Sequence, residues 1–190
     1  MILDIRGTSG SGKSYVAHQL LSQAFRVGLL LLDGGTREHA YALRLIGVPR
    51  PVILLGRYQS PCGGVDALRV SQDDICNLVR RYATQGHVLF EGLLVSHLYS
   101  RYRDLARELS WASYRFAFLD TPLEVCLERV QARRIARGTA TELNPKNTID
   151  KWYDIQKVYR KLLADGLDAQ GVVYTQSVET VRQWLSAADE

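Results

Sequence analysis

Eight residues near the amino end, Gly7-Thr8-Ser9-Gly10-Ser11-Gly12-Lys13-Ser14, constrain this chain more than any other stretch. They fit G-x-x-x-x-G-K-[ST], the phosphate-binding P-loop, a turn that joins a buried strand to a helix. Both flanks are present: Ile2-Leu3-Asp4-Ile5 is a short apolar run, and Val16, Leu20, Leu21 and Ala24 recur at helical spacing. The glycines let successive N–H groups converge on one concavity, to which the helix N-terminus adds partial positive charge. Gly7, Ser9, Gly10, Ser11 and Gly12 are therefore candidate phosphate-binding positions. Lys13 adds a mobile charge for the β- and γ-oxygens, and the Ser14 hydroxyl is a candidate Mg²⁺ ligand. The motif implies a nucleoside triphosphate.

The rest of the chain alternates strands with helices. The first helix is predicted over 14–27, and Gly28 to Asp33 reads as a fully buried strand ending in a carboxylate. Residues 36–46 read as a short helix with Thr36 as N-cap, and Val52 to Leu55 as a third strand. Gly56 to Asp66 (GRYQSPCGGVD) has no period and many turn formers, so it reads as a loop. Ser71 opens a helix with Asp73 and Asp74 in its first turn, and Gly86 closes it. His87 to Phe90 is a strand ending in Glu91, and Leu94 to Leu109 gives one helix. Tyr114 to Leu119 ends in Asp120, and Pro122 opens a helix that stops at Gly138. A helix marked by Trp152, Ile155, Tyr159 and Leu162, a strand at 172–175 and a terminal helix complete the chain. This alternation predicts an α/β three-layer fold: a parallel sheet of about five strands flanked by helices, in one domain over 1–190. In such sheets the ligand lies beyond the carboxyl ends of the strands, so Asp33, Glu91 and Asp120 should face the same site as Lys13.

Composition narrows the setting. Lys and Arg total 24 against 20 Asp and Glu, a pI near 9.0 that permits a polyanionic partner without demanding one. Cys62, Cys76 and Cys126 are scattered with no C-x-x-C pair, as for reduced thiols in a cytoplasmic protein. The four histidines lack metal-ligand spacing, and no apolar run is long enough to span a bilayer. No membrane role is expected.

Phosphoryl transfer asks for positive groups around the γ-phosphoryl oxygens and a carboxylate near the acceptor hydroxyl. Arg129, Arg133 and Arg137 recur every four residues on one helical face, with Arg134 beside them and a polar stretch to Asn147. This arginine-rich segment, about 129–147, reads as a lid; its alternative is a solvated face paired with Glu124 and Glu128.

GTSGSGKS at 7–14, VLFEG at 88–92 and FLDTPLEVCLERVQARRIARG at 118–138 resemble the P-loop kinases of nucleosides, nucleotides and polynucleotide ends. The resemblance implies a P-loop NTPase-type fold, ATP with Mg²⁺, and transfer to an alcohol. It also implies that a carboxylate ending the second strand, here Asp33, serves as general base. Glu91 matches the family's strand-end acid and is implied to orient Mg²⁺-bound water or the acceptor, while Asp120 is a weaker match that can equally cap a helix. Lys13, Asp33, Glu91, Arg129 and Arg133 thus stand as catalytic candidates, with Arg134 and Arg137 on the nucleotide. The N-K-x-D base-reading motif of a GTPase is absent at Asn147.

The acceptor is less constrained. Arg37 and Arg57 can hold a phosphate, Tyr58 can stack on a base, and Gln59 or Asp66 can read a base edge. YALRLIGVP, GRYQSPCGGVDAL and LFEGLLVSHLYSRY together resemble a bacteriophage kinase group. Some members of that group phosphorylate 5-hydroxymethyluracil within DNA, which implies a DNA partner and a host-cytoplasmic setting. Arg101, Arg103, Arg107 and Arg115 can track its backbone. A free deoxynucleoside or deoxynucleoside monophosphate acceptor is the alternative, and a nucleotide-dependent regulatory protein a further one.

Overall fold

The computed structural model describes residues 1–31, 37–138 and 144–188. Its strands are β1 (Ile2–Arg6), β2 (Arg26–Leu31), β3 (Glu38–Arg44), β4 (Val52–Leu55), β5 (His87–Glu91), β6 (Tyr114–Leu119) and β7 (Ala169–Val172). They form one sheet in the order β2-β3-β4-β5-β1-β6-β7. From β4 to β7 every pairing is parallel, whereas β2–β3 and β3–β4 are antiparallel. The sheet therefore has seven strands rather than about five. The five parallel ones match the sequence expectation, and a hairpin extends one edge.

Alternation along the central strands builds two cores. Ile2, Val88, Phe90 and Phe116 face one side, while Leu3, Ile5, Leu89 and Ala117 face the other, all fully buried. The first side is covered by α2 (Gln72–Ala83), α3 (Leu93–His97), α4 (Ser100–Glu108) and α6 (Lys146–Ala164), through Ile75, Val79, Val95, Tyr102 and Leu162. The second is covered by α1 (Lys13–Gln23) and α7 (Ser177–Ala187), through Val16, Leu20, Val181 and Leu185. The remaining helix, α5 (Leu123–Ala136), carries the arginines predicted for the lid. The start of α2 follows its sequence: Ser71 Oγ accepts from Asp74 N (3.1 Å) while Asp74 Oδ2 accepts from Ser71 N (3.0 Å), a capping box. The Ser71 hydroxyl, which also donates to Asp74 Oδ2 (2.7 Å), and Ser71 N together hold the Asp74 carboxyl below its usual range.

Several expectations about single elements need correction. The first helix ends at Gln23, because Ala24 is already extended and Phe25 N bonds Arg44 O (3.0 Å), starting a hairpin. The run from Gly28 lies in an edge strand, not a buried one: Val27, Leu29 and Leu31 are 45%, 55% and 49% exposed. Asp33 falls in 32–36, outside the described residues. Within the predicted helix over 36–46, Glu38–Arg44 is strand β3: Tyr41 and Leu43 pack on one core and Ala40 on the other, the two-residue period of a strand. The last strand lies at 169–172 instead of 172–175, with a short 3-10 turn at Tyr174–Gln176.

The single helix predicted from Leu94 to Leu109 is broken at Leu98, which is extended. The break has a cause at the end of β1. Arg6 is fully buried, pairs with buried Asp4 (2.7 Å) and donates to Leu98 O (3.0 Å). Its guanidinium also lies over the rings of Phe116 (4.8 Å) and Tyr102 (5.2 Å). Arg6 directly precedes Gly7, so this knot fixes where the glycine-rich loop begins.

Candidate active site

The loop between β1 and α1 turns as its glycines demand. Gly10 has φ +82, and a Cβ there would stand 2.4 Å from Cys126 O, so both conformation and space require glycine. Thr121 Oγ1 donates to Ser11 O (2.7 Å), and Thr8 Oγ1 donates to Thr148 O (3.3 Å), tying the loop to β6 and α6. Lys13 is buried and its ammonium donates to Gly7 O (2.7 Å) and Thr8 O (3.0 Å). Burial pulls its pKa down; the charges of Glu91 and Asp66 oppose that shift.

Glu91 ends β5, next to β1 in the sheet, and Ser14 Oγ donates to its Oε1 (2.8 Å). The Glu91 carboxyl is 2% exposed. Burial pushes its pKa up to about 7, against the pull of Lys13 and the Ser14 bond, and Asp66 pushes it further up. Gly64, at φ +96, lets the following loop pack on this acid; a Cβ there would meet Glu91 O at 2.5 Å.

That loop delivers Asp66. Reciprocal amide bonds between Arg57 and Gly64 (3.2 and 3.1 Å) fold it back. Asp66 Oδ2 then accepts from Leu93 N (2.6 Å) and Leu94 N (3.3 Å) at the start of α3. Asp66 Oδ1 is shielded from water and has no hydrogen-bond partner among the described residues.

The helix α5 closes the site. Arg129 donates to Gly10 O (3.2 Å) and stacks over Tyr174 (5.2 Å). Arg133 and Arg137 both donate to Cys62 Sγ, at 3.1 and 3.4 Å. The result is a cavity of about 510 Å³ bordered by Lys13, Ser14, Asp66, Glu91 and the three arginines. Loop amides and guanidiniums suit polyphosphate oxygens. Mg²⁺ needs only one or two protein oxygens beside the phosphates, and Ser14 and Glu91 offer them. The donor set fits a Mg²⁺-bound triphosphate.

Other sequence candidates lie elsewhere. Gly7 and Ser11 belong to the loop but do not border the cavity, whereas Ser9, Gly10 and Gly12 do; Arg134, Arg37, Arg57, Tyr58, Gln59 and Asp120 are also not among its described lining residues. Tyr58 is buried and donates to Leu55 O (3.2 Å), so its ring packs in the core instead of offering a stacking face. Arg57 donates to Gln59 (3.1 Å), which donates to Glu38 (2.6 Å), a surface chain. Asp120 accepts from Tyr174 N (2.8 Å) and holds the turn after β7. The four arginines read as a DNA track each face an acid: Arg101 with Asp73, Arg103 with Asp104, Arg107 with Asp165 and Arg115 with Asp168. The segment 139–143 within the predicted lid lies outside the described residues. Sequence reasoning missed Arg6 and Thr121, whose partners are remote along the chain.

Among known proteins, the chain is 34% identical over 188 residues to a 5-hmdU DNA kinase of Pseudomonas phage PaMx11, covering 98% of this chain and 97% of that one. A 5-hmdU DNA kinase of Pseudomonas phage M6 is 26% identical over 189 residues, covering 95% of each. A solved gluconokinase from Sinorhizobium meliloti 1021 superposes with a TM-score of 0.47 at 18% identity, over 98% of this chain and 89% of that one. No protein-family model matches. Among the described residues, no helix is long and apolar enough to cross a membrane.

Proposed function

The chain belongs to the family of phage 5-hmdU DNA kinases, and on that premise we propose that it moves the γ-phosphoryl group of ATP onto the hydroxymethyl oxygen of 5-hydroxymethyluracil in DNA. The cavity supports this reading most directly: a phosphate loop, three guanidiniums and two carboxylates share one space of about 510 Å³. The loop amides and Lys13 bind and orient the triphosphate, with Lys13 exchanging its bonds to Gly7 O and Thr8 O for phosphate oxygens. Mg²⁺, when bound by Ser14 and Glu91, neutralises charge on the β- and γ-oxygens. Arg129 and Arg133 stabilise the charge that develops on the transferring group, and Arg137 neutralises the polyphosphate. Residues 1–190 act as one kinase domain whose lid spans about 129–147.

The 5-substituent of a pyrimidine projects into the major groove. Bringing it to a recessed site calls for flipping the base, at a cost of a few kcal/mol. A second reading, a free deoxynucleoside or its monophosphate as acceptor, gains support from the arginines of α4 being spent on aspartates. Incubation with γ-labelled ATP and Mg²⁺, offering hydroxymethyluracil DNA, ordinary DNA, nucleosides and monophosphates in parallel, separates the two. Label on hydroxymethyluracil DNA alone is expected; label on the free acceptors alone overturns the DNA reading.

A further inference from the structure

The structure places a proton acceptor where the strand-end pattern did not point. We propose that Asp66 is the general base that takes the proton of the attacking hydroxyl, an assignment that rests on the kinase reading above. Asp66 borders the cavity with Lys13 and Glu91. Its Oδ2 is pinned by two amides at the start of α3, which fixes the plane of the carboxylate. Its Oδ1 is shut off from water and has no hydrogen-bond donor among the described residues. A carboxylate whose plane two amides fix, at the edge of a transfer site and with one oxygen still lacking a donor, offers a place to a donor that arrives with the substrate. The acceptor hydroxyl is that donor.

The competing acids are placed differently. Glu91 already accepts from Ser14, the metal-side hydroxyl of the loop (2.8 Å). Asp120, a further strand-end acid, accepts from Tyr174 N (2.8 Å) and does not border the cavity. In the step itself, the hydroxymethyl O–H bond breaks and its proton passes to the Asp66 carboxylate. The freed electron pair forms the bond to the γ-phosphorus, whose bond to the bridging oxygen breaks, leaving that pair on ADP.

The test is Asp66→Asn, in which the amide oxygen can still accept from Leu93 N and Leu94 N. Melting temperature should stay within a few degrees of wild type and the affinity for a fluorescent ATP analogue within about threefold, while kcat falls about 10²–10⁴-fold. KM for ATP should stay near wild type while kcat falls, a split that a purely structural role would not produce. A kcat within about fivefold of wild type overturns the assignment. So does a kcat loss that merely tracks lost nucleotide binding, or a larger kcat loss in Asp33→Asn. Should wild type label free nucleosides instead of DNA, the acceptor reading fails, and the same variants on that acceptor still decide the role of Asp66.

Discussion

Glu91→Gln should make the nucleotide-free protein more stable while crippling it as an enzyme. Burial raises the Glu91 carboxyl from its ordinary 4.5 to about 7, so between those values the folded state holds a proton that the unfolded chain has released. Stability therefore falls as pH rises through that window and levels off above it. At about 1.4 kcal/mol per pH unit, ionised Glu91 costs the folded state about 3 kcal/mol at pH 8. Glutamine mimics the protonated acid and its Oε1 still accepts from Ser14 Oγ. The variant should match wild type near pH 5 and exceed it by up to about 3 kcal/mol at pH 8, some 6–12 °C in melting temperature for a chain of this size. Urea titrations from pH 5 to 8, without nucleotide or metal, read this directly. Parallel stability curves for the two proteins across that range would refute the assignment of a strained acid to this position. In the same preparation, loss of the metal-facing carboxylate should lower kcat by at least about 10²-fold.

Three further outcomes can be checked. Arg6→Leu strands the buried Asp4 carboxylate beside the loop and should cost about 3–5 kcal/mol in urea unfolding; a loss below about 1 kcal/mol would remove the anchoring role. Arg133→Gln should lower kcat about 10²-fold with little change in nucleotide affinity, and equal losses in both would make it a simple binding residue. Arg101→Ala and Arg103→Ala should each change DNA affinity less than about twofold at moderate salt, because their charge is paired; a tenfold loss would return α4 to the DNA interface.

What could be read from the sequence was what local chemistry specifies. The loop at 7–14, the capping box at Ser71 and Asp74, the strand end at Glu91 and the four-residue spacing of Arg129, Arg133 and Arg137 are each set by neighbours in the chain. What escaped depends on remote partners. The β2–β3 hairpin looked like a buried strand plus a helix, since antiparallel pairing onto an edge leaves no local mark. Leu98 breaks a helix whose apolar period runs on, because its carbonyl serves Arg6. The α4 arginines and Arg115 of β6 read as a basic stripe, yet Asp73, Asp165 and Asp168 come from other parts of the chain. Asp66 was legible as a loop residue able to read a base edge but not as a neighbour of Glu91; a fold-back of the loop onto Glu91, permitted by Gly64, put it there.

The central claim is that the Lys13 loop delivers a phosphoryl group to a hydroxymethylated base. Mass spectrometry of nucleosides digested from hydroxymethyluracil duplex, after incubation with ATP and Mg²⁺, tests it most directly. Wild type should convert hydroxymethyldeoxyuridine to its phosphomonoester, and Lys13→Ala should slow that conversion by at least about 10²–10³-fold. Unmodified nucleoside from the wild-type reaction, or equal conversion by Lys13→Ala, would contradict the account.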